Sequence, residues 1–67
     1  MSWKLIGRFT HIKHDGDYLM SVVPDDDKWE WRLLHSKNVL ASESGYDTKE
    51  DAQDAVMKQL TKYRELE

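Results

Sequence analysis

Residues 45–66 read GYDTKEDAQDAVMKQLTKYREL, and this segment predicts an amphipathic helix that the rest of the chain must cover. Thr48 can cap a helix, because its hydroxyl can accept a hydrogen bond from a backbone N–H group left free at a helix start. At 3.6 residues per turn, one side of a helix from Thr48 to Leu66 is apolar: Ala52, Ala55, Val56, Leu60, Tyr63 and Leu66. Met57 falls outside this stripe. Since an isolated helix of this length is marginal in water, the stripe predicts a partner surface elsewhere in the chain.

The residues before the helix alternate between apolar and polar side chains, as β-strands do. We expect strands over 3–12, 18–23, 28–34 and 39–42, joined by turns over 14–17, 24–27, 35–38 and 43–47. The Asp15-Gly16 pair is typical of a type I′ hairpin turn. The sequence therefore predicts one α+β domain over residues 1–67: an antiparallel β-meander of three to four strands followed by one C-terminal helix packed on one sheet face. Trp29, Trp31 and Leu33 should face that helix.

The amino-acid composition limits the classes of protein to which the chain could belong. The chain has 67 residues, no cysteine and a net charge of −3. Residues 1–37 carry six basic and six acidic side chains, whereas residues 38–67 carry four and seven, so the acidic excess belongs to the helical part. An acidic domain is a poor default for binding nucleic acid, whose affinity depends on neutralising phosphates. No signal-peptide or membrane-span pattern is present, so we expect a cytoplasmic protein and no membrane contact.

Several motifs occur in a fixed order between Trp29 and Ala52. They are Trp-x-Trp-Arg-Leu over 29–33, Asn-Val-Leu-Ala-Ser over 38–42, and Glu-Ser-Gly-Tyr-x-Thr-Lys-x-x-Ala over 43–52. This segment, with the helix start up to Val56, resembles the YegP-like family of small bacterial proteins, which has no established activity. The resemblance implies a sheet-plus-helix unit that combines in tandem or between two subunits, with exchanged C-terminal strands. The sequence holds one copy of the pattern and predicts no strand after the helix.

No set of residues points to catalysis or to a bound cofactor. The serines stand in no nucleophile motif, and so small a domain has little room for a pocket; we expect no enzyme activity, no catalytic residues and no cofactor. His11, His14, Asp15 and Asp17 could be imagined as metal ligands, but on a strand the two histidines point to opposite faces. Residues 25–27 are three aspartates without the alternating ligands and glycine of a calcium loop. We interpret both groups as solvated turns and expect no metal.

The strand period also predicts a second surface, on the side of the sheet away from the helix. It is locally basic and partly apolar. The candidate partner-binding residues on this surface are Lys4, Ile6, Arg8, Lys28 and Arg32, and Thr10 and Glu30 lie on the same surface. We therefore expect a non-enzymatic binding or regulatory module that acts through protein–protein contacts. One alternative is a nucleic-acid-binding module that uses this basic face. Some DNA-binding domains of plants and phages have a similar sheet-plus-helix architecture, which also suggests this alternative. Another alternative is a phage-type small inhibitor of a host protein, in keeping with the small size and acidity.

We also expect the chain to form a homodimer. A domain of this length buries only about 60% of its unfolded surface and gains stability by pairing. The long strand predicted over 3–12 would lie at an edge of the sheet, where unpaired backbone groups invite another chain. The YegP-like resemblance implies the same pairing.

Overall fold

Five consecutive strands and one helix make up the fold in the computed structural model, which describes residues 3–7 and 9–66. The elements are β1 (Lys4–Ile6), β2 (Thr10–Asp15), β3 (Tyr18–Asp25), β4 (Lys28–His35), β5 (Asn38–Tyr46) and α1 (Lys49–Glu65). Each strand pairs antiparallel with the next, in the order β1-β2-β3-β4-β5. The predicted α+β meander with a C-terminal helix is therefore confirmed, but the sheet has five strands and not three to four.

The additional strand comes from the N-terminal segment, where the prediction of one strand over 3–12 is wrong. The chain reverses between Ile6 and Thr10, which lie opposite each other, and Gly7 adopts a φ of +64°. This left-handed conformation costs an L-residue about 1–2 kcal/mol, so glycine suits the position. Lys4 lies opposite Ile12 and Ile6 lies opposite Thr10, and directly opposite residues share a face of the sheet, so these four even-numbered residues lie on one side, as predicted.

The turn between β2 and β3 also differs from its prediction. Its two central residues are Gly16 and Asp17, because Asp15 belongs to β2 and lies opposite Tyr18. Only Gly16 of this pair has a positive φ, at +63°. A glycine with positive φ at the first central position is typical of a type II′ turn, whereas type I′ needs positive φ at both.

Strand β5 is longer than the predicted strand over 39–42, because the residues interpreted as a turn continue it. Trp29 lies opposite Tyr46 and Trp31 opposite Glu43, so the two residues 44–45 stand against the one residue between the tryptophans. This arrangement is a β-bulge, and Gly45 within it has a φ of +96°. Glycine and serine here bend a strand rather than end it.

The helix packs on one side of the sheet, mainly over β3, β4 and β5. The buried apolar side chains between the two layers are Tyr18, Met20, Val22, Trp31, Leu33, Ala52, Val56 and Leu60. The predicted orientation of the tryptophan strand is confirmed: Trp31 and Leu33 are buried, and Trp29 packs against the same cluster while half-buried. Thr48 is the N-cap, since its Oγ1 accepts a hydrogen bond from the Asp51 backbone N–H at 3.1 Å.

Two side chains of the helix differ from the predicted stripe. Met57 is half-buried against the core, because it and Ala55 lie about 100° to either side of Val56 and the sheet is wide enough to reach both. Leu66, in contrast, is 76% exposed. It is the C-cap, directly after the last helical residue, Glu65. Among the described residues, no helix has both the length and the hydrophobicity to cross a lipid bilayer.

Candidate functional site

The sheet surface opposite α1, here called the outer face, carries side chains in rows that cross the strands. Because directly paired residues share a face, the register places five residues in one row: Lys4, Ile12, Ser21, Arg32 and Ser42. The predicted partner residues Lys4 and Arg32 therefore lie on one surface, with β2 and β3 between them. Both side chains are exposed.

Strand pairing also locates the other predicted partner residues. Ile6 is 42% exposed and lies opposite Thr10 on the same face as Lys4. Arg8 lies outside the described residues. Lys28 is exposed at the start of β4, beside the turn that follows β3. Of the described members of the set, Lys4, Ile6 and Arg32 thus share the outer face, divided between β1 and β4.

Ion pairs neutralise two of the predicted cations. The Lys28 ammonium donates a hydrogen bond to Asp47 Oδ1, and this bond, together with the positive charge of Lys28, holds the pKa of Asp47 below its ordinary value. Arg32 Nε donates to Glu30 Oε2 at 2.7 Å. Both pairs are exposed, so each contributes little to stability, but each lowers the positive potential of the outer face. The face is consequently less basic than its cation count indicates.

A second row of the outer face is mainly apolar, and none of its residues is among the predicted partner residues. It runs from His14 on β2 through Leu19 and Leu34 to Val39 on β5. The three aliphatic residues Leu19, Leu34 and Val39 are here called the apolar row. Leu19 and Leu34 are half-buried, and Val39 is 59% exposed. No other element covers this row within residues 3–7 and 9–66, because the helix lies on the opposite side.

The end of the apolar row forms an open depression of about 340 Å³ lined by His14, Asp17, Leu19, Leu34, Ser36 and Lys37. Two turns shape it. The Ser36 backbone N–H donates to the Asp17 carbonyl oxygen at 3.2 Å and joins the β2–β3 turn to the β4–β5 turn. Ser36 and Lys37 both have positive φ, at +48° and +73°, as a type I′ turn requires. The depression thus has aliphatic walls and a polar rim.

A signal for the apolar row was present in the sequence. Leu33 and Leu34 are adjacent, so on a strand one of them must point to each face. Leu33 is buried against the helix, and Leu34 therefore brings an aliphatic side chain to the outer face. Leu19 has the same relation to its buried neighbours Tyr18 and Met20. A strand with apolar residues at both parities indicates two faces with apolar contacts.

The two histidines among the candidate metal ligands lie on opposite faces of the sheet, as predicted. His11 lies opposite Val22, on the helix side, and His14 lies opposite Leu19, on the outer face. Burial is the main cause that lowers the pKa of His11, with the Lys49 ammonium adding to it and Glu50 opposing it. No three histidine, aspartate or glutamate side chains converge as a metal ion would need anywhere in the described ranges.

Comparison of the chain with protein-family models, with curated proteins and with solved structures gave no match. The YegP-like resemblance stays a prediction that the motifs between Trp29 and Val56 carry.

Proposed function

We propose that this protein is a small, non-enzymatic binding or regulatory module that contacts a protein partner through its outer face. The observation that carries the proposal is the apolar row on a side of the sheet that no described element covers. The cytoplasmic location expected from the sequence stays a prediction.

The composition of the outer face supports this proposal. Protein interfaces have an apolar centre and a polar rim, and exposed apolar groups rimmed by polar residues mark such sites. Here Leu19, Leu34 and Val39 form the centre, and Arg32 and Lys37 belong to the rim. Covering the row removes aliphatic surface from water, at about 25 cal/mol for each Å² of apolar area.

Affinity capture with matched variants tests this function. Val39→Glu places a carboxylate in the apolar row, where Val39 is 59% exposed, so the fold should tolerate it. Thr61→Glu places the same charge on an exposed position of α1, away from the outer face. We expect the unchanged protein and Thr61→Glu to retain the same partner from a lysate of the source organism, and Val39→Glu to lose it. Equal recovery by all three proteins, with unchanged circular dichroism, would contradict the proposal.

A second copy of the chain is one partner that this face could accept. The edge pairing expected from the sequence loses its basis, because the N-terminal edge strand, Lys4–Ile6, has three residues rather than ten. The opposite edge, Asn38–Tyr46, is longer, but register shifts interrupt it, and bulges hinder edge-to-edge pairing. Light scattering coupled to gel filtration at ~100 μM should give a dimer for the unchanged chain and a monomer for Val39→Glu. A mass near 8.0 kDa for both rejects the homodimer and leaves a different partner.

The nucleic-acid alternative has less support, because Lys28 and Arg32 already pair with carboxylates. Phosphate contacts would make duplex affinity fall linearly with the logarithm of the salt concentration. No binding to random duplex at ~50 mM salt would exclude this alternative. A phage-type inhibitor would reveal itself in the capture experiment, as a partner whose own activity falls when the chain binds.

A further inference from the structure

A second concave surface lies at the opposite end of the sheet from the turns that shape the outer-face depression. Phe9, Pro24 and Trp29, here called the aromatic concavity, line an open space of about 320 Å³. Pro24 lies opposite Trp29 on neighbouring strands, on the helix side of the sheet. Phe9 is 59% exposed, so a ligand can reach its ring.

The rim of the aromatic concavity is acidic. Asp26 and Asp27, the two central residues of the β3–β4 turn, line it together with Lys28. The Lys28 ammonium is held by Asp47, so those two charges cancel. Neither Asp26 nor Asp27 forms an ion pair with a basic side chain of the described ranges. Two carboxylates beside aromatic rings therefore remain for a ligand.

We propose that the aromatic concavity binds the side chain of an arginine from a protein partner. A cation is attracted to the face of an aromatic ring, and a guanidinium group, being flat and weakly hydrated, stacks on such a ring while its N–H groups bond carboxylates. Phe9 and Trp29 supply the rings, and Asp26 and Asp27 supply the acceptors. A flat guanidinium group also suits an open concavity better than it suits a deep pocket. This site lies on the helix side of the sheet, so it does not depend on the outer-face proposal.

Nuclear magnetic resonance titration of the full chain tests the assignment. The probe is the blocked tripeptide acetyl-Gly-Arg-Gly-amide, and the Trp29 indole N–H resonance is the signal. The matched control probe replaces arginine with citrulline, which keeps the shape and loses the charge. We expect the arginine peptide to shift the Trp29 signal saturably with a Kd of about 1 mM, and the citrulline peptide to bind at least ~10-fold more weakly.

Three variants locate the binding. Phe9→Ala removes an exposed ring, and the double change Asp26→Asn with Asp27→Asn removes both charges; asparagine tolerates the positive φ of Asp26. Each should weaken arginine-peptide binding by at least ~3-fold, because Phe9→Ala removes a ring that attracts the cation and the double variant removes the charged acceptors. Leu5→Ala, which truncates another exposed apolar side chain outside the lining, should leave it unchanged.

Four results would overturn the proposal. They are equal binding of the citrulline and arginine peptides, equal binding of a lysine peptide, unchanged affinity in the double aspartate variant, and no movement of the Trp29 signal up to ~50 mM peptide. Loss of the outer-face partner in the capture experiment would leave this titration unaffected, so the two proposals fail separately.

Discussion

Tyr46 accepts a hydrogen bond from a side chain of the core. The Trp31 indole N–H donates to Tyr46 Oη at 3.1 Å, and Trp31 is only 2% exposed. Trp31 therefore has its polar atom satisfied only while Tyr46 stays in place. A buried donor that loses its acceptor costs about 1–3 kcal/mol.

The first prediction compares two tyrosines. Tyr46→Phe should lower the free energy of unfolding by about 1–3 kcal/mol, because it leaves the buried Trp31 N–H without an acceptor. Tyr63→Phe is the matched control, since the Tyr63 hydroxyl donates to the Leu40 carbonyl oxygen at 3.3 Å in an exposed position. Its cost should stay below about 1 kcal/mol, because water can replace an exposed bond. Urea unfolding measures both, and equal costs would contradict the role given to Tyr46.

Lys37 carries backbone strain that a single change can relieve. Its φ of +73° lies in the left-handed region, which an L-residue adopts at a cost of about 1–2 kcal/mol. Lys37→Gly should therefore raise the free energy of unfolding by up to about 1 kcal/mol, after the entropy that glycine adds to the unfolded chain. The thermal midpoint should rise by up to about 4–8 °C.

Asp17→Gly is the control for that change. Asp17 holds the second central position of another two-residue turn, yet its φ is not positive. Glycine relieves no strain there and only loosens the unfolded chain, so the thermal midpoint should stay or fall. A rise of the same size in both variants would show that the strain at Lys37 is not the cause.

His11 makes stability depend on pH. Burial, aided by the Lys49 ammonium, lowers its pKa from the ordinary 6.5. The unfolded chain then binds more protons than the folded chain just below pH 6.5, so stability is full above that pH and falls as the pH drops through the folded pKa. In His11→Gln this part of the fall should vanish, as urea midpoints at several pH values would show. An imidazole pKa at or above 6.5, measured by nuclear magnetic resonance, would contradict the prediction.

At the scale of elements, the helix was the part that the sequence predicted best. Its cap and its apolar stripe are local features, and both Thr48 and the buried residues Ala52, Val56 and Leu60 are where the pattern places them. The capping hydroxyl accepts a hydrogen bond from a backbone N–H group that has no acceptor within the first turn of the helix.

The cap gives a prediction for the helix. Thr48→Ala should lower the free energy of unfolding by about 1 kcal/mol, because the Asp51 backbone N–H loses its acceptor. Thr48→Ser keeps the hydroxyl and should change stability by only a few tenths of a kcal/mol. Chemical denaturation followed by circular dichroism compares the two variants, and similar losses in both would mean that the hydroxyl does not cap the helix.

The strands were harder to predict, because two glycines gave misleading signals. Gly7 makes a hairpin within a run of alternating residues, and no asparagine, aspartate or proline marks the reversal. Gly45, beside a serine, has the composition of a turn, but β5 continues through it as a bulge. Whether a glycine reverses a strand or bends it depends on the neighbouring strand, which local sequence does not specify.

The sequence predicted which side of the sheet the candidate site lies on, but it did not predict all the contacts that its side chains make. The strand period placed Lys4, Ile6 and Arg32 on the outer face correctly. Glu30 is two residues from Arg32, so that ion pair could be read from the strand period. The Lys28–Asp47 pair could not, since 19 residues separate its partners in the chain.

At the scale of the whole molecule, the layers leave two surfaces with different properties. The helix covers the tryptophan side of β4, and the outer face keeps an aliphatic row without a covering layer in the part of the chain that the structure describes. A two-layer domain of this size has one core, so apolar side chains on its second face gain burial only from another molecule. That is the physical basis of the proposed protein-binding function.

Photo-crosslinking in cells of the source organism tests this function most directly. The photoreactive residue p-benzoylphenylalanine replaces Val39 in one variant and Thr61, on the exposed side of the helix, in the other. We expect irradiation to join a protein, which includes a second copy of the chain, to the Val39 variant and not to the Thr61 variant. Adducts at Thr61 alone, or at neither position, would contradict a protein-binding role for the outer face.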